Sequence, residues 1–280
     1  MRVPPFDLPL ADDGYAWWYL DARSDDGRHG LTVIYFIGSV FSPYYAWARR
    51  RGPTPPLEHS AVNVALYGEP SRWAMTERAG ASVALTDRTL RIGPSALAIE
   101  GDELVARLDE VTVPWPSRLR GTLRMTLPGG DGVAYPLDAA GRHLWQPIAP
   151  QTRIRVALEA PALTWEGDAY VDSNRGEDAL ERAFRSWWWS RGHAADGGTR
   201  VRYDVLERDG TRRRRTLLAS PDGGVDERLS ATPEAHQERL ESLPPTRWFR
   251  VPRPTRLAEG ESVTAVETLE DTPFYARSRY

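Results

Sequence analysis

The chain has 280 residues, enough for one large or two modest domains, with 41% hydrophobic residues and a formal net charge of −3. That charge leaves no overall basic footprint for nucleic acid, and the lack of cysteine excludes a disulfide framework, a thiolate nucleophile and a cysteine-bound metal. All 36 basic residues are arginine, which removes Schiff-base and phosphate-loop lysines from consideration. Trp (11) and Tyr (11) outnumber Phe (6), a balance suited to apolar surfaces that carry a polar tip, such as barrel linings, grooves and membrane-facing belts. The N-terminal "MRVPPFDLPLADDG" has no apolar core of the signal-peptide kind. No apolar run approaches the ~18 residues of a membrane helix, so a cytoplasmic protein, soluble or peripheral, is expected.

Strand signals dominate in chain order. Residues 15–22 ("YAWWYLDA") and 30–38 ("GLTVIYFIG") flank an Asp-Gly turn. Residues 59–68, 72–78, 96–108 and 120–137 continue the pattern. Further strands are expected over 152–160, 162–172, 186–192, 199–220, 246–252 and 261–270. Turns recur every 8–14 residues, the spacing of sandwiches and up-and-down barrels. Helix signals are few. One or two turns fit residues 176–184, and residues 232–243 offer Thr232 as N-cap with Pro233 at the first helical position. Residues 49–58 read as a Pro-rich loop. The expected fold class is all-β, and the strand count places a domain boundary near residue 160, giving β domains over 1–160 and 161–280.

Chemistry-bearing side chains concentrate in two segments. In "GDAYVDSNRG" (167–176), period-2 alternation puts Asp168, Tyr170 and Asp172 on one face and Ala169, Val171 and Ser173 on the other. Two carboxylates and a phenol in a row mark either a wet strand end or an acid placed for chemistry. In "RHLWQP" (142–147), an extended chain sets His143 and Trp145 on one face, although a capped strand end with a packed Trp gives the same pattern. If the two pairs meet, the pocket holds an acid, an imidazole, a phenol and an indole; spacing alone does not bring them together. Such surroundings raise the pKa of a carboxylic acid by desolvation, which suits a general acid at neutral pH. An aromatic face stabilises a cation by about 2 kcal/mol or more when desolvated.

Other motifs point to bland roles. His29, His59, His143, His193 and His236 show no H-x-x-x-H or H-x-H spacing, so no metal site is expected. "PDGG" and "LPGG" are turns without the strand and helix of a phosphate loop. "RRRR" (212–215) is read as a solvated edge strand, with a patch for anionic lipid head groups as the alternative.

The ordered set "YAWWYLDARSDDGRHGLTVIYFIGSVFSPYYAWARR", "LEHSAVNVALYG", "RWAMTER", "DEVTVPWPSRLRG", "LDAAGRHLWQPIAP", "YVDSNRG", "WWWSRG" and "LEDTPFYARS" resembles the bacterial carotenoid 1,2-hydratases, also called hydroxyneurosporene synthases. The match runs from about Tyr15 to Ser278. The resemblance implies two packed lipocalin-like β-barrel or sandwich domains with few short helices and a pocket associated with their packing. It also implies cofactor-independent addition of water to the terminal C1=C2 bond of an acyclic carotenoid such as neurosporene or lycopene. The family's functional His-x-Trp and Tyr-x-Asp are matched by His143 with Trp145 and by Tyr170 with Asp172. Two segments depart from the pattern: Glu58 and Ser60 flank His59 where Asn and Cys are usual, and Trp188 stands where a polar residue is usual.

Hydration of a trisubstituted alkene begins with protonation at C2 and ends with capture of the C1 cation by water. Asp172 is the expected proton donor, Trp145 and Tyr170 the cation shield, and His143 the group that orients water or takes its proton; His143 and Asp172 can exchange roles. A nearly insoluble polyene substrate implies peripheral contact with the inner face of a membrane, with "SVFSPYYAWARR" (39–50) as the candidate rim. A non-catalytic isoprenoid carrier and a lipocalin-like pericyclase are the rival readings, because fold does not fix function.

Overall fold

The computed structural model describes residues 3–129, 132–193, 197–220, 225–229, 239–257, 262–263, 266–273 and 275–280. The chain divides into two compact units, Met1–Glu227 and Arg228–Tyr280.

The larger unit is built on strands β1 (Tyr15–Ser24), β2 (Gly30–Ile37), β3 (Ser60–Tyr67), β4 (Arg72–Arg78), β5 (Val83–Leu85), β6 (Thr89–Ile92), β7 (Ser95–Glu100), β8 (Glu103–Val111), β9 (Arg118–Thr126), β10 (Tyr135–Pro136), β11 (His143–Ala160) and β12 (Ala162–Gly176). They form one sheet in the order β4-β3-β2-β1-β12-β11-β9-β8-β7-β6-β5, with β10 paired to β11. The sheet curls until it almost closes. The Val113 amide beyond β8 donates to the Trp73 carbonyl on β4 at 2.9 Å, and Arg78 pairs with the buried Glu110 at 2.8 Å. Inward-facing positions make an aliphatic core of residues such as Leu20, Val33, Val64, Leu97, Leu104, Leu123 and Val171. Residue 160 lies at the β11–β12 hairpin, in the middle of this sheet rather than between compact units.

A smaller sheet follows, in the order β13 (Phe184–His193), β14 (Thr199–Glu207), β15 (Arg212–Ala219), β16 (Val225–Leu229). It covers the outer face of β1, β2, β11 and β12. The layer between holds Tyr15, Trp17, Ile34, Phe36, Trp145 and Tyr170 from the large sheet against Phe184, Val201, Tyr203, Val205 and Leu217 from the small one. The four arginines of β15 are not on an edge strand, because β15 lies between β14 and β16. Each has a partner: Arg212 lies over Trp188, Arg213 pairs with Glu207, Arg214 lies 3.6 Å from Asp204, and Arg215 donates to the Pro136 carbonyl.

Two short α-helices occur among the described residues. α1 (Pro43–Arg49) starts from Ser42, whose side chain accepts from the Tyr45 amide, with Pro43 preset for the first turn. It falls inside a segment read only as a rim. α2 (Leu180–Ala183) fulfils the short helix expected over 176–184. No helix among the described residues is long and apolar enough to cross a membrane.

The smaller unit contains the hairpins β17 (Arg239–Leu243) with β18 (Arg253–Leu257) and β19 (Glu267–Asp271) with β20 (Ala276–Arg279). Arg253 joins them by donating to Thr268 Oγ1 and Ser278 Oγ, both at 2.9 Å. The helix expected over 232–243 is corrected where it can be seen: Arg239–Leu243 is strand β17, whose amides pair across to β18. Residues 231–238 lie outside the described residues.

Candidate active site

β1, β11 and β12 share one register that fixes which side chains meet. Across β12, Asp172 faces Tyr19 of β1 and Pro147 of β11; Asn174 faces Trp17 and Trp145; Gly176 faces Tyr15 and His143. Directly opposed residues in a sheet point to the same face. The outer face therefore carries Tyr15, Trp17, Tyr19, Asp21, His143, Trp145, Tyr170 and Asp172 together. β11 shifts register between Pro147 and Ala149 and again between Ala149 and Thr152. These irregularities sit beside Asp172 and Tyr170, where a bulge turns side chains and interrupts the ladder. They also explain how Pro147 and Pro150 fit inside an 18-residue strand.

Asp172 is the centre of one cluster. It is 3% exposed, and Trp145 and Tyr170 beside it are fully buried. Tyr170 Oη donates to Asp172 Oδ2 at 2.7 Å and Trp145 Nε1 donates to the same oxygen at 2.9 Å. Oδ1 has no hydrogen-bond partner among the described residues. Aromatic rings close over the cluster: Trp189 of β13 lies 5.1 Å from Tyr170 and 5.5 Å from Tyr19, and Tyr203 of β14 lies 5.1 Å from Trp145.

Burial pushes the Asp172 carboxyl up from its ordinary 3.8 to about 7, and the charge of Asp21 adds to the rise. The two hydrogen bonds to Oδ2 pull the other way without overcoming the loss of water. Both donors aim at Oδ2, so in the neutral acid that oxygen is the carbonyl and the proton sits on the free Oδ1. The Tyr170 phenol is raised well above its ordinary value, first by burial and then by the charge of Asp172. It stays a donor.

His143 belongs to a second cluster at the end of the same face. It lies four β12 residues from Asp172, about 13 Å along the strand. Its Nδ1 is 3.0 Å from Tyr15 Oη, and its amide donates to Asp138 Oδ1 at 2.9 Å. Asp178 Oδ1 lies 2.8 Å from Nε2, close enough for an ion pair but out of hydrogen-bond alignment. Gly176 makes the Tyr15–His143 contact feasible: a Cβ there would fall 2.4 Å from Tyr15 Cε1 and 2.6 Å from His143 Nδ1. The structure thus brings Trp145, Tyr170 and Asp172 into direct contact and leaves His143 outside it.

Two groups near the acid were not singled out in the sequence. Asp21 sits opposite Tyr170 on β1, and Arg191 of β13 donates to Asp21 Oδ2 at 3.1 Å. The signal was present in "YAWWYLDA": Tyr15, Trp17, Tyr19 and Asp21 alternate onto one face, an aromatic ladder ending in an acid. Among the described residues, no group of three His, Asp or Glu is placed to hold a metal ion.

Fold and site together define a lipocalin-like β protein with a carboxyl buried between two sheets under aromatic cover. A candidate AttH of Nitrosomonas europaea shares the fold, with a TM-score of 0.57 at 12% identity over 90% of this chain and 81% of that one. The family described as carotenoid hydratase CrtC matches residues 33–280. The acyclic carotenoid 1,2-hydratase of Thiocapsa roseopersicina is 50% identical over 99% of this chain and 67% of its own length. That of Rubrivivax gelatinosus is 47% identical over the same shares. The chain belongs to the CrtC carotenoid hydratase family, and is a hydro-lyase by that membership.

Proposed function

We propose that the chain adds water across the terminal C1=C2 bond of an acyclic carotenoid, without a cofactor, and that Asp172 is the acid. The observation that carries this reading is the free Oδ1 of a carboxyl whose other oxygen accepts two hydrogen bonds, in a site with almost no access to water. Proton transfer from Oδ1 to C2 leaves a tertiary cation at C1 and a carboxylate on Asp172. Tyr170 and Trp145 already point at Oδ2 and stabilise that carboxylate as it forms, while their rings lie beside the cation. Water adds to C1 and returns its extra proton to Asp172, which restores the acid and closes the cycle with atoms and charge balanced.

His143 does not enter these steps directly. Held against Tyr15, Asp138 and Asp178, it anchors the end of the face on which the acid stands. Neurosporene and lycopene are the substrates of choice for this chemistry. The exposed Tyr44 and Trp47 of α1, followed by exposed Arg50 and Arg51, suit peripheral contact with the membrane that dissolves them.

The test is Asp172→Asn assayed with lycopene or neurosporene in isotopically labelled water. Wild-type protein is expected to place the label in a 1-hydroxy product, and the folded variant to lose at least ~10³-fold in rate, on the scale of a missing general acid. A variant that hydrates near the wild-type rate removes Asp172 from the mechanism. Binding without conversion by wild-type protein supports a carrier instead.

A further inference from the structure

The acid has a second carboxyl beside it. Asp21 is 6% exposed and stands directly across β1–β12 from Tyr170, one diagonal step from Asp172. Diagonal neighbours on one face of an antiparallel pair are about 7–8 Å apart at Cα. A buried carboxylate needs a partner, and Arg191 supplies it from the overlying sheet, at 3.1 Å and with both side chains nearly buried. The same guanidinium lies 5.8 Å over the ring of Tyr170, the phenol that holds Asp172.

We propose that Asp21, fixed as an anion by Arg191, is a positioning residue whose charge adds to burial in keeping the Asp172 carboxyl in its acid form. Two like charges on one face of a buried layer disfavour each other, and the Arg191 ion pair places the lasting charge on Asp21. Among the described residues Asp172 has no cation of its own; its partners are the neutral Tyr170 and Trp145. The other titratable groups around it are Tyr19 on β1, Tyr170 on β12 and Tyr203 on β14; β11 offers Trp145, which does not titrate, and β13 offers Arg191. The two phenols at Tyr170 and Tyr203 are raised by burial and stay neutral. Among the described residues, Asp21 is therefore the one anion that faces Asp172 from these strands. It acts through Asp172 and touches no reacting atom.

This inference rests on Asp172 being the acid, so the experiment reads the carboxyl itself as well as turnover. The C=O stretch of protonated Asp172 is followed by infrared titration, with Asp172→Asn identifying the band. Asp21→Asn is expected to move the titration midpoint down by about one pH unit, consistent with a charge several ångströms away. The basic limb of the hydration rate should move with it, and Asp21→Glu should restore both. Removing Asp21 alone frees Arg191, which would lower the midpoint by itself. The double variant Asp21→Asn/Arg191→Gln separates the two causes. A midpoint that stays low in the double variant supports the proposal; one that returns to the wild-type value, or an unshifted single variant, overturns it. Failure of the acid assignment looks different: the Asp172→Asn variant keeps turning over whatever Asp21 does.

Discussion

Along β1 and β12, alternate residues serve two unlike interiors. Ala16, Trp18, Leu20 and Ala22 join Ala169 and Val171 in the closed core of the large sheet. Tyr15, Trp17, Tyr19 and Asp21 join Tyr170 and Asp172 in the layer under the small sheet. Both interiors are largely buried, yet the first holds mainly hydrocarbon and the second holds carboxyls, phenols and indoles with directed hydrogen bonds. A packed aliphatic core gains from burial at every position. The second layer pays for its chemistry, because a buried carboxyl is worth less to folding than the apolar group it displaces. One strand pair thus divides cohesion and reactivity between its two faces.

The largest effect expected of that division appears in stability against pH. The folded-state pKa of Asp172, about 7, lies above the ordinary 3.8. Between those values the native state holds a proton that the unfolded chain has released. Stability therefore falls as pH rises through this window, and the full cost is present above the folded pKa. Three units correspond to about 4 kcal/mol. Asp172→Asn is expected to be the more stable protein at pH 8 by up to that amount, with the difference shrinking toward pH 4. Chemical denaturation at a series of pH values measures it. A constant difference across the range would mean that the carboxyl is not carried neutral in the native state.

The opposite face should respond in the opposite way. Leu20 is fully buried in the aliphatic core. Leu20→Ala is expected to lose about 2–4 kcal/mol from the missing methyl groups and the cavity they leave. The pH dependence of stability should keep its wild-type shape, and the hydration rate per folded molecule should change little. Denaturant midpoints together with rates normalised to folded protein test both halves. A shifted pH profile in this variant would show that the two faces are mechanically coupled.

Much of this arrangement was legible in the sequence, for reasons that also mark where reading stopped. Alternation in "YVDSN" put Tyr170 and Asp172 on one face because β12 is regular against β1. "RHLWQP" reads only as an extended segment or a capped strand end, apart from the strand expected over 152–160, with Pro147 and Pro150 lying between them. β11 carries both through two register shifts that local pattern does not reveal. His143 shares the face as expected but not the contact, since the pairing His143–Gly176 depends on strand register between distant segments. Asp21 and Arg191 meet across two sheets, 170 residues apart in sequence, which no local pattern encodes. The helix expected over 232–243 rested on Thr-Pro capping chemistry, and pairing with β18 overrides it at Arg239–Leu243. The charge of "RRRR" correctly marks a solvated stretch, but its place between two strands and its partners Glu207, Asp204, the ring of Trp188 and a backbone carbonyl are what pattern alone cannot supply.

The smallest and most discriminating change is Tyr170→Phe. It removes one hydrogen-bond donor, leaves the ring to pack against Tyr19 and Trp189, and keeps the Trp145 bond to Oδ2. The phenol favours the ionised carboxyl, so losing it should raise the proton affinity of Asp172 further above 7. The basic limb of the rate is then expected to move up by about half to one pH unit. The plateau should fall by up to ~10-fold, because a carboxyl that holds its proton more tightly by up to about 1.4 kcal/mol gives it up to the alkene more slowly. The two movements are opposed, more acid form present but a weaker acid, and packing loss alone would not produce that pair. A lower plateau with an unmoved limb would reduce Tyr170 to a wall of the site; an unmoved plateau with a shifted limb would mean that proton transfer from Asp172 does not limit the reaction.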